Sequence, residues 1–108
     1  METLLSRILE LVEAGKVRAS AHGLEELEND EITFTELLEG LPRAIGVEEY
    51  EDYHKGPCIL VLQATSDGRP VHALWGIARN APGVATLITA YRPDPGRWSE
   101  DFLRRKPR

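Results

Sequence analysis

The chain has 108 residues, of which 42% are hydrophobic and 29% charged, enough for one domain around one core. A formal net charge of −5 argues against indiscriminate nucleic-acid binding, and the longest apolar run, Cys58 to Leu62, is too short to span a bilayer. The single cysteine, Cys58, excludes an internal disulfide.

The opening stretch METLLSRILELVEAG spaces Leu4, Leu5, Ile8, Leu9, Leu11 and Val12 at helical intervals, which predicts an amphipathic helix over residues 2–14 ended by Gly15. Glu2, Glu10 and Glu13 interrupt its apolar residues and no basic lead-in precedes them, so the segment does not read as a secretory signal, and a cytoplasmic location is the default expectation. A second helix is expected from Ser20, a good N-cap residue, with Leu24 and Leu27 one turn apart and a break at Asn29-Asp30. TFTELLEGLP then places Glu36 three residues after Thr33, a capping box, and Gly40 and Pro42 close this short third helix.

From there the period changes. RAIGVEEY alternates loosely, and PCILVLQAT is rich in β-branched and apolar residues. SDG at 66–68 is a hairpin signal. RPVHALWGIA sets Val71, Ala73, Trp75 and Ile77 against His72, Leu74, Gly76 and Ala78. NAPG at 80–83 is another turn, and VATLITAY a further strand. Strict alternation in that strand puts Leu87, Thr89 and Tyr91 on one side. The last segment, Trp98 to Lys106, fits either a short helix capped by Ser99 or a turn-linked extension. The expected fold is α+β: one domain over 1–108, with two to three N-terminal helices packed on a four-stranded antiparallel sheet.

Charge is unevenly distributed. Residues 1–53 carry fourteen acids against four bases, a net −10, and residues 54–108 carry four acids against nine bases, a net +5. The basic half leaves room for a local anionic ligand. No pair among His22, His54 and His72 has the tight spacing of a metal motif, and no metal or cofactor is expected. His54, in EDYHKGP, reads as a solvated loop residue and Cys58 as a buried small apolar one. His22 has Glu25 and Glu26 three and four residues on, which makes either a surface pair or a poised acid–base group. If Val71, Ala73, Trp75 and Ile77 face the helices, His72 points to the opposite face; with the sheet reversed it enters the core. Tyr91 ends the last strand beside Arg92, Trp98 reads as an anchor for the tail, and Arg104, Arg105, Lys106 and Arg108 form a terminal cation cluster able to contact phosphate.

Three stretches carry a resemblance. RASAHGLEEL resembles a Ser-x-His-Ala-x-x-Arg opening, GPCILVLQATSDGRPVHALW a central hairpin ending in Pro-Leu-His, and LITAYRPDPGRWSEDFLRRK a Thr-x-Tyr-x-Pro-Asp-x-x-x-Trp close. Together they resemble the bacterial domain family of unknown function DUF4258, usually grouped with the RelE/ParE-like toxins, over about Ala19 to Lys106. The resemblance implies a compact RelE/ParE-toxin-like scaffold and, by analogy with some members of that superfamily, cleavage of mRNA. The family's histidines fall on His22 and His72, its tyrosine on Tyr91 and its tryptophan on Trp98. Glu26 stands where the family often has arginine, which replaces a phosphate contact with repulsion. The functional expectation is a toxin-like, metal-independent endoribonuclease of a toxin–antitoxin system. His22, His72 and Tyr91 would be its catalytic groups, and Arg92, Arg97, Arg104, Arg105 and Lys106 its RNA-phosphate contacts. It requires His22 and His72 to lie within about one nucleotide of each other. The alternative is a non-catalytic protein-binding module on the same scaffold. The expected partners are accordingly RNA or an antitoxin protein, and no membrane.

Overall fold

The computed structural model describes residues 2–107. Helix α1 spans Leu4–Glu13, and Thr3 and Ser6 close its start with reciprocal side-chain-to-backbone bonds. Strand β1, Val17–Ala19, leads into α2, Ala21–Asn29, whose N-cap Ser20 accepts from the Gly23 amide and donates to the Ile88 carbonyl at 2.9 Å. Helix α3, Phe34–Gly40, has the expected Thr33–Glu36 capping box and runs on into a short 3₁₀ turn at Leu41–Arg43. Four strands follow: β2 Ile45–Tyr50, β3 Cys58–Ala64, β4 Pro70–Gly76 and β5 Ala85–Tyr91. At the β3–β4 turn Gly68 takes φ +83°, a conformation glycine adopts without steric cost.

The fold is α+β with three helices, as expected, but the sheet has five strands rather than four and is mixed. Its order is β1-β5-β4-β3-β2. Strands β2 to β5 form the predicted antiparallel meander, and β1 adds to its β5 edge in parallel, pairing Val17 with Ala85 and Ala19 with Leu87. β1 is three residues long and wedged between two helices, so its sequence carries no alternation to read.

One face of the sheet meets the helices. Ile59, Val61, Val71, Ala73, Trp75, Leu87 and Ala90 pack there with Ile8 of α1, Leu27 of α2 and Leu37 of α3. The polar groups in this layer are paired: Trp75 Nε1 donates to Gln63 Oε1 at 3.0 Å, and Gln63 Nε2 donates to the Leu37 carbonyl at 2.8 Å. His72, Leu74 and Gly76 therefore point to the rear face.

Strict alternation fails in β5. Thr89 pairs with Leu74 but Leu87 with Trp75, which leaves Ile88 as an extra residue, a β-bulge. Leu87 faces the helices while Thr89 and Tyr91 face the rear, so the expected grouping of all three on one side is corrected. The last segment takes the second of its two predicted forms. It folds back as a turn with a bridge between Trp98 and Arg105, held by Ser99 N–H donating to the Arg104 carbonyl at 2.8 Å. This C-terminal flap lies across the rear face.

Candidate functional site

The flap covers His72. Its imidazole has 0% exposed surface, although it sits on the face away from the helices. The Trp98 ring stands edge-on to it at 4.4 Å between centroids, and the Tyr91 ring edge-on at 5.4 Å. Trp98 is itself buried and anchors the tail, as its position suggested. Nε2 of His72 lies 2.8 Å from the Phe102 carbonyl oxygen, and Nδ1 lies 3.3 Å from the Tyr91 hydroxyl. A carbonyl can only accept, so the proton of the neutral ring belongs on Nε2, and Nδ1 is left to accept from the phenol. Burial lowers the pKa of His72, and the positive Arg105 nearby acts in the same direction, against the Phe102 bond and the Glu48 carboxylate. Burial raises the pKa of Tyr91. The pair is therefore a neutral base touching a protonated phenol.

Tyr91 is the member that reaches the surface. A cleft of about 700 Å³, within the usual size of a ligand site, is lined by Tyr50, Tyr53, Leu60, Leu74, Tyr91 and Arg105, with Glu49, Glu51 and Asp52 also along it. A smaller neighbouring cleft shares Tyr91 and Arg105 and adds Arg92, Asp94, Arg97 and Trp98, with Arg97 Nε 3.9 Å from Asp94 Oδ2. Arg105 spans the two. Its Nε donates to Glu48 Oε1 at 2.9 Å, and its guanidinium lies over the Trp98 ring at 4.7 Å from the centroid. Glu48 also accepts from the Tyr50 hydroxyl at 2.6 Å; that bond and the Arg105 contact hold its carboxyl below the usual range against burial.

The candidate residues thus separate. His72, Tyr91, Arg97 and Arg105 come together on the rear face. His22 does not join them: it sits on α2, in the helix layer, with 63% of its side chain exposed and Glu26 3.9 Å away. It lines neither of these clefts. The pairing of His22 with His72 expected from sequence has no geometric support. Arg92 is committed internally. Its Nη1 donates to Thr65 Oγ1, the Arg69 carbonyl and the Pro70 carbonyl at 3.0–3.2 Å, and its amide donates to Asp30 Oδ2 at 3.3 Å. It ties the β3–β4 turn to the end of β5 rather than waiting for phosphate. Arg104 and Lys106 are exposed on the flap. Cys58 is buried, as expected, and burial raises its thiol pKa.

No motif or spacing singles out Glu48, Tyr50 or the Phe102 carbonyl. Glu48 meets Arg105 across 57 positions and Phe102 meets His72 across 30. Among the described residues no three His, Cys, Asp or Glu side chains gather in a way that could hold a metal ion. No helix among them is long and apolar enough to cross a membrane.

A family model described as a domain of unknown function, DUF4258, matches residues 19–92. The chain belongs to this family. The matched DUF4258 segment runs from the end of β1 to just past β5 and contains His22, His72 and Tyr91. Helix α1 and the flap that buries His72 lie outside it. No curated protein and no solved structure matches the chain.

Proposed function

We propose that this DUF4258 domain is a RelE/ParE-like, metal-independent endoribonuclease of a toxin–antitoxin system, working in the cytoplasm, with Tyr91 as the group that touches RNA and His72 as the base behind it. The observation that carries this reading is the His72–Tyr91 contact. An imidazole with its tautomer fixed by a backbone carbonyl faces a phenol that opens into a cleft beside two arginines.

The chemistry balances through that pair. The RNA 2′-hydroxyl gives its proton to the Tyr91 oxygen as the phenol proton passes to His72 Nδ1. The 2′-oxygen then bonds to phosphorus and the bond from phosphorus to the 5′-oxygen breaks. The proton returns through Tyr91 to the 5′-oxygen. The products are a 2′,3′-cyclic phosphate and a 5′-hydroxyl, and the protein ends unchanged. The lowered pKa of His72 keeps it available as a base at neutral pH, and the raised pKa of Tyr91 keeps a proton on the phenol for the relay. Arg97 and Arg105 are placed to meet the negative charge that builds on phosphate.

The test compares growth arrest and mapped RNA ends on expressing wild type, Tyr91→Phe and His22→Ala. Cleavage by wild type and His22→Ala, with Tyr91→Phe reduced on the order of a hundredfold or more, supports the reading. A second reading, a non-catalytic module that binds an antitoxin-like protein, is favoured by the complete cover over His72 and by the tie of Arg105 to Glu48. Intact RNA with all three proteins would select it.

A further inference from the structure

A third cleft, of about 540 Å³, opens at the far end of the rear face, where β4 and β5 meet the loops at 51–57 and 77–84. Its lining includes Arg18, Lys55 and Arg79, each exposed, and not one carboxylate, although the chain has eighteen acidic residues. The Arg18 side chain and the loops that carry Lys55 and Arg79 are each held in place. Arg18 Nε donates to Thr86 Oγ1 at 3.0 Å, and the Arg79 amide donates to the Lys55 carbonyl at 2.9 Å, which fastens the two loops together. Tyr53 and His54 form a tilted aromatic pair at 4.7 Å beside an apolar floor that includes Ile77 and Ile88. Cations around an aromatic and aliphatic floor are what a nucleotide needs: charge for phosphate and flat surface for a base.

This cleft neighbours the middle cleft, which in turn neighbours the Arg97 cleft. Tyr53 lines both it and the middle cleft, just as Tyr91 and Arg105 line both the middle cleft and the Arg97 cleft. The middle cleft carries Glu49, Glu51 and Asp52, which repel phosphate but can accept hydrogen bonds from amino groups of bases. Phosphate is therefore favoured at the carboxylate-free end and, where arginines outnumber the single Asp94, at the other, with bases between them.

We infer that the Arg18–Lys55–Arg79 cleft is a second phosphate-and-base subsite for the same single-stranded RNA, set away from the reacting bond. The inference rests on the nuclease reading for its direction along the groove but is tested by binding alone. Full-length Tyr91→Phe is titrated with a labelled single-stranded RNA of about ten nucleotides, within the span such grooves cover, over a series of salt concentrations. Its counterpart also carries Lys55→Gln and Arg79→Gln, both on exposed side chains, and Arg7→Gln on α1 serves as the charge control. Each lost phosphate contact flattens the slope of log affinity against log salt by about 0.7, so the double change should flatten it by about 1.4. Affinity at low salt should fall on the order of tenfold, and Arg7→Gln should do neither.

Equal slopes for the parent and the double variant, or no RNA binding by the parent, would overturn the subsite. So would adenosine monophosphate binding as tightly as the oligonucleotide, since the cleft would then serve a free nucleotide. If the slope change appears but wild type leaves RNA uncut, the nuclease reading falls and the subsite stands. If wild type cuts RNA and the slopes are equal, the reverse holds.

Discussion

His72→Leu should release the flap while leaving the helix layer folded. The substitution keeps an apolar side chain of similar reach but removes both ring nitrogens. The Phe102 carbonyl loses the donor 2.8 Å away, at a cost of about 1–3 kcal/mol for an acceptor left unpaired. The edge-on contacts with Trp98 and Tyr91 are each worth about 0.5–1.5 kcal/mol beyond burial. Phe102 itself holds φ +60°, a costly conformation for a bulky residue, and the His72 bond helps to keep it there. Taking about 3 kcal/mol from these contributions, and about 4 °C per kcal/mol for a domain of this size, the melting temperature should fall by about 12 °C. Trypsin should also cut at Arg97, Arg104 and Arg105 much sooner than elsewhere in the chain. The pH profile supplies an independent check. The folded pKa of His72 is depressed, so below about 6.5 the unfolded chain takes up a proton that the folded one refuses. The contribution of His72 to stability is complete above that pH and is lost as pH falls towards the folded value, at up to about 1.4 kcal/mol per pH unit. Wild type should lose more stability than His72→Leu between pH 7.5 and pH 5.5. Matching melting temperatures, matching proteolysis and parallel pH profiles would refute the account of the flap.

Gly56→Ala should be among the most damaging single changes. A Cβ there would lie 2.3 Å from the Ile77 carbonyl oxygen, on a residue at φ +131°, so the urea midpoint should drop by the equivalent of at least about 2 kcal/mol. Arg92→Met should lower the melting temperature as well as any RNA affinity, because it strips the donor from Thr65, Arg69 and Pro70; a variant of wild-type stability with weaker RNA binding would show that Arg92 serves the ligand instead. Arg105→Gln should weaken RNA binding and loosen the flap together, since the same guanidinium meets Glu48 and Trp98, which proteolysis and anisotropy would read separately. Cleavage by wild type should weaken as pH falls through the depressed pKa of His72, where the base becomes protonated, and a rate that rises on acidification would contradict its role.

Most of the secondary structure was legible because it rests on local signals. Thr33 with Glu36, Ser20 before Ala21 and the Ser66–Gly68 turn each announce themselves within four residues. The face of His72 was legible from the alternation of Val71, Ala73 and Trp75, once those residues are given to the helices. Its burial was not, because the cover comes from Trp98 and Phe102, and no pattern around residue 72 encodes what the tail will do. Arg92 looks in sequence like a free cation beside a tyrosine, yet its partners are the carbonyls of a turn more than twenty positions away. β1 was missed for a related reason: three residues suffice for a parallel pairing when the partner, β5, is already held in a sheet.

The bulge in β5 decides whether the candidate site exists. Side chains alternate along a strand, so if Ile88 took a regular place in the ladder, Tyr91 would share the side of Leu87 and turn towards the helices. With it, Leu87 and Ala90 both remain in the core while Thr89 and Tyr91 face the rear, opposite Leu74 and His72. One inserted residue thus keeps the apolar face of β5 intact at its start and changes the phase at its end, where the phenol meets the imidazole. Bulges often re-aim a side chain beside a functional site, and here the residue re-aimed is the one that joins the buried histidine to the cleft. Deleting Ile88 would leave a regular ladder in which Leu87 still meets Trp75, Thr89 meets Leu74 and Tyr91 meets His72. The shortened strand should therefore keep both its core and the 3.3 Å contact between Tyr91 and His72, at the cost of the Ile88 carbonyl that accepts from Ser20. Loss of the Tyr91 contact on deletion would show that Ile88 is not the residue that sets the phase of the strand.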